Sequence, residues 1–63
     1  MVAGQETMAQ TAHARMLEYA ADDESRAQAA WARGDTLGAA QLKGRAEGYR
    51  LAADMLVTRG LVS

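Results

Sequence analysis

The chain has 63 residues with no cysteine and no proline, and its seven basic side chains nearly balance eight acidic ones. The missing cysteines exclude a disulfide framework and thiolate metal sites. The net charge of −1 argues against a nucleic-acid partner, which needs clustered positive charge. One small domain over residues 1–63 fits this length, and so small a core usually needs a metal, a disulfide or a second chain to hold it.

No stretch of about 18 apolar residues exists, so no membrane span is expected. The opening residues, Met1 to Glu6, have neither the basic region nor the apolar run of a secretory signal, so the expected compartment is the cytoplasm. Six arginines against one lysine, with 15 alanines and no Ile, Phe or Asn, match GC-rich codon usage. That points to a high-GC bacterium or one of its phages.

The first predicted element is a helix over about 5–33. Alanine, leucine, methionine, arginine, glutamate and glutamine dominate it, as helix propensity requires. Met8, Ala12, Met16, Tyr19, Ala20, Ala27, Ala30 and Trp31 share one side at spacings of three and four. Thr11, Arg15, Glu18, Asp22 and Ser25 lie opposite. Asp22 and Arg26 form a favourable i,i+4 pair. His13 stands alone beside Leu17 as a partly buried packing residue.

Gly34-Asp35 is the predicted turn. Gly34 supplies the left-handed conformation that ends a helix, with Arg33 complementing the dipole of the last turn. Asp35 or Thr36 caps the second helix. So short a connection makes the two helices antiparallel neighbours.

The second helix is predicted over about 36–59, closed by Gly60. Leu42, Ala46, Tyr49, Ala53 and Leu56 make a short heptad seam. Leu37, Ala40, Gly44, Gly48, Leu51, Ala52 and Met55 make a second apolar side. Lys43, Glu47, Arg50 and Asp54 form a charged ridge, read as the pairs Lys43–Glu47 and Arg50–Asp54. Two apolar stripes imply two neighbours, one from the hairpin and one from a second chain. The expected architecture is therefore all-α: an antiparallel helical hairpin dimerising into a four-helix bundle. Its expected core is Leu42, Tyr49, Leu56, Met16, Tyr19 and Trp31.

The functional reading comes from surplus apolar surface without a catalytic constellation. No catalytic residue, cofactor or metal site is expected. The chain reads as a small non-enzymatic protein–protein interaction module, such as a phage or accessory-gene adaptor or an inhibitor of a host protein. The candidate interface is Leu37, Gly44, Gly48, Leu51, Met55 and Asp23. Glycines inside a helix cost about 1 kcal/mol relative to alanine, so Gly44 and Gly48 suggest close approach of another helix. Asp23 lies on the apolar face of the first helix. Counting from the turn places it near Arg45, Glu47 and Tyr49, so it pairs with Arg45 or the Tyr49 hydroxyl or faces solvent at a groove, as a register-fixing contact or part of a partner site.

Two alternatives are weaker. Lys43, Arg45, Arg50 and Arg59 would serve a nucleic-acid-associated regulator, but Glu47 and Asp54 interleave with them. Glu18, Asp22 and Asp23 give a thin resemblance to the carboxylate clusters of MazG-type all-α pyrophosphohydrolases, without the paired second motif. Ala27, Gly34-Asp35, Ala39 and Ala46 resemble the small residues and turn of one tetratricopeptide hairpin. The aromatic residue near Lys43 and the closing proline are missing, so the likeness is one of hairpin packing alone.

Overall fold

Two helices, α1 (Met8–Ala32) and α2 (Thr36–Thr58), pack side by side as a hairpin in the computed structural model, which describes residues 7–62. Among the described residues there is no strand. Each helix ends one residue before its predicted end, α2 starts at Thr36 as predicted, and Thr7 of the predicted first helix is its cap, residues 5 and 6 lying outside the described residues.

Local chemistry accounts for every end. Thr7 caps α1 by accepting the Gln10 N–H at 3.1 Å, and the Gln10 side chain accepts the Thr7 N–H at 2.8 Å. This Thr-x-x-Gln capping box satisfies two otherwise orphaned donors. At the other end the Gly34 N–H donates to Trp31 and the Asp35 N–H donates to Ala30, with Gly34 at φ 84°. That is a Schellman closure, and it needs the left-handed backbone glycine adopts without strain. Gly60, at φ 74°, closes α2 by the same pair of bonds to Val57 and Leu56. Of the two candidate caps for α2, Asp35 serves: its Oδ1 accepts the Gly38 N–H at 2.9 Å. Arg33 and Arg59 are the C-cap residues rather than members of the last turn.

The seam between the helices is built from alanine. Ala39, Ala46 and Ala53 recur every seven residues on α2 and are buried. Ala20 and Ala30 are fully buried on α1. A seven-residue apolar repeat keeps one line of each helix facing its partner, and small side chains on that line let the backbones approach closely. Leu42, Tyr49, Leu56 and Met16 flank the seam half-buried. The hairpin measures 51 × 21 × 12 Å, so its smallest dimension is one helix thick. No interior layer exists at that thickness, and no large side chain among the described residues is fully buried.

Within the single hairpin, not all of the residues expected in the core of the dimer are covered. Trp31 is 67% exposed and Tyr19 is about half exposed. The positions facing α2 beside them are Ala20, Ala27 and Ala30, and a seam set by alanine is too close for an indole. Met8, placed on the apolar side by its spacing, is also exposed because it stands in the first turn, at the open end of the hairpin.

Candidate functional site

Three features of the surface could engage another molecule. The first is the outer face of α2. Leu37, Gly44, Gly48, Leu51 and Met55 all lie opposite the alanine seam, as 100° per residue places them. Leu37 is 70% exposed, Leu51 64% and Met55 44%. A Cβ built on Gly44 or Gly48 meets nothing within 4 Å. The close approach that the glycines suggest is therefore not made by α1. In dilute solution, Gly44→Ala is expected to stabilise the hairpin by about 0.5–1 kcal/mol, the ordinary gain of alanine over glycine in an open helix. Thermal melting followed by circular dichroism checks this. A loss of stability would show that the position is already packed.

The second feature is the Asp23 cluster on one flat side of the hairpin. Asp23 is only 3% exposed. Its Oδ2 lies 3.5 Å from Nε of Arg45, whose side chain remains 60% exposed. That oxygen accepts no well-formed hydrogen bond, so the guanidinium compensates it by charge alone. Interaction with the Tyr49 side chain first, then the charge of Asp23, raises the Arg45 pKa above the ordinary value. The guanidinium therefore stays protonated at any working pH. Tyr49 meets Tyr19 across the hairpin with ring centroids 5.5 Å apart and planes tilted by 52°. Of the alternatives the sequence leaves for Asp23, the pairing with Arg45 is the one present, and it ties α1 to α2 at a fixed register.

The third feature is a groove of about 590 Å³ on the opposite flat side. Ala27, Ala39 and Ala46 form its floor, Trp31 and Thr36 its end near the turn, and Lys43 and Glu47 part of its wall. A shallower hollow of about 460 Å³ continues it toward His13, Leu17 and Asp54. Between the two, Arg50 pairs with Glu24 across the hairpin. Helical spacing joins Arg50 to Asp54 instead. The cross-helix partner prevails because Glu24 sits at the edge of the seam, within reach of a long side chain from the facing ridge. Lys43 and Glu47 make no ion pair with each other. Nothing in the sequence singles out the groove, since its shape comes from missing side-chain volume over the alanine seam.

The carboxylates considered as metal ligands do not converge. Asp22 pairs with Arg26 at 3.2 Å on the exposed side, Asp23 is held inward by Arg45, and Glu18 is exposed. Among the described residues no three histidine or acidic side chains gather where they could hold a metal ion. No described helix is long and apolar enough to cross a membrane.

No protein-family model matches the chain, and neither a curated protein nor a solved structure is significantly similar to it. Its function must therefore be read from the surface of the hairpin itself.

Proposed function

We propose that this hairpin is a small non-enzymatic interaction module that binds another protein through the outer face of α2, and that it associates with a second copy into a four-helix assembly. One observation carries the reading: Leu37, Leu51 and Met55 are exposed on a single helix face around two bare glycines. Large apolar side chains gathered on one face mark an interaction surface. Helix-on-helix recognition uses side chains at this spacing. The opposite, seam-facing stripe is already used by α1, so the outer stripe is what remains to be covered.

Photo-cross-linking tests this. A photoreactive residue at position 55 is expected to give a discrete protein adduct in cells making the chain, and one at position 25, on the outer face of α1, none. Leu51→Glu should cut the adduct from position 55 at least about tenfold, because an unpaired charge in an apolar contact costs more than 1.4 kcal/mol. Equal labelling from positions 25 and 55, or an adduct indifferent to Leu51→Glu, would refute the reading.

A further inference from the structure

We propose that the outer face of α2 is covered by α2 of a second copy, running antiparallel about a two-fold axis at the level of Ala46. This rests on the interaction-module reading and names the partner and its register.

The face is self-complementary in one direction. Gly44 and Gly48 stand two residues either side of Ala46. Ala40 and Ala52 stand six away, and Leu37 and Met55 nine away. An antiparallel copy therefore sets Gly44 at the level of Gly48 of the second copy, Ala40 at Ala52, and Leu37 at Met55. A two-fold interface requires this kind of self-matching patch. Bare backbone meets bare backbone at the centre, where nothing lies within 4 Å of either glycine Cβ position. A large side chain closes each end.

Charge selects the direction. Lys43 and Glu47 flank this face on the same edge and, among the described residues, make no ion pair. A parallel two-fold copy would put the Lys43–Glu47 edges of the two chains on opposite sides of the contact, where they cannot pair. The antiparallel copy brings Lys43 within one turn of Glu47 of the second copy. Antiparallel dipoles favour the same choice.

The resulting assembly puts the two α2 helices in the middle and α1 outside. The seam side chains Leu42, Tyr49 and Leu56 then stay within each hairpin rather than forming a shared core.

The chain has no cysteine, so engineered disulfides report the register without background. Leu37 and Met55 are exposed, so neither substitution disturbs the hairpin. Mild oxidation of Leu37→Cys mixed with Met55→Cys should give the mixed disulfide. Each variant alone should give none, because like positions lie about 27 Å apart across the axis and a disulfide needs less than about 7 Å between Cα atoms. Sedimentation should show the parent as a dimer at micromolar concentration. Gly48→Leu should weaken that dimer at least tenfold while its helical signal persists.

A disulfide from Leu37→Cys alone would mean parallel pairing and overturns the proposal. A dimer that ignores Gly48→Leu and forms no disulfide uses another face. That overturns the register and leaves the interaction-module reading standing. A parent chain that stays monomeric at a hundred micromolar rejects the second copy. An adduct at position 55 would then still support a different protein partner.

Discussion

Ala46→Leu is expected to remove most of the stability of the hairpin. Ala46 is 1% exposed, at the centre of the alanine repeat on α2. A leucine there adds three carbon atoms where the helices are closest, and overpacking of this kind costs about 1–3 kcal/mol. A fold of this size seldom has more than about 3–5 kcal/mol to lose. The cost is also hard to relieve. Moving the helices apart would open the contacts at Ala39 and Ala53 and pull Asp23 from Arg45. Ala29→Leu, on the exposed side of α1, is the control, expected within about 0.5 kcal/mol of the parent. Thermal melting of both variants decides the matter. If Ala46→Leu melts at or above the parent temperature, alanine does not set the helix spacing.

The Asp23–Arg45 pair is expected to respond asymmetrically. Removing the cation by Arg45→Met leaves a carboxylate that is only 3% exposed without compensation, so the melting temperature should fall distinctly. Asp23→Ala removes the buried charge itself and inserts the residue that fills the rest of the seam. Its effect should be near zero or stabilising, since apolar replacements of buried ionic groups often are. The double variant should resemble Asp23→Ala, because Arg45 is largely exposed and loses little when its partner goes. Equal losses from both single variants would instead mean that the ion pair is itself a net source of stability. If Asp23 chiefly fixes register, Asp23→Ala should broaden the unfolding transition even where the midpoint holds.

Much of the hairpin is legible from residue types alone. Gly34 and Gly60 mark both helix ends because an L side chain is strained in the left-handed backbone at those points. The heptad from Leu42 to Leu56 contains Ala46 and Ala53 of the buried line of α2, beside a second apolar stripe that the spacing reads equally well. Counting outward from a turn of fixed length brings Asp23 near Arg45, Glu47 and Tyr49, and the structure selects Arg45. The Thr7–Gln10 capping box is readable too, as Thr-x-x-Gln before an apolar run.

The packing of large side chains is not legible in the same way. Spacing places Trp31 and Tyr19 on the apolar side of α1, and in angle they do stand near the seam. Burial depends also on the distance between the helices, and that distance is set by the smallest residues facing each other. With Ala20 and Ala30 opposite the Ala39–Ala46–Ala53 line, the backbones come close and larger groups are pushed to the flanks. Arg50 similarly takes Glu24 over Asp54, because a residue on the facing helix is invisible to i,i+4 counting.

The sequence by itself determined two helices, their ends at the glycines, their antiparallel order and two apolar stripes on the second helix, because these depend on local backbone preference and the angle per residue. Only the tertiary structure decided that alanine rather than the aromatic residues fills the line along which they meet. It also showed that Asp23 lies buried there against an exposed arginine, and that the glycine face of α2 stands open. Those outcomes depend on the interhelical distance, which arises when two surfaces close on each other and which neither helix encodes alone.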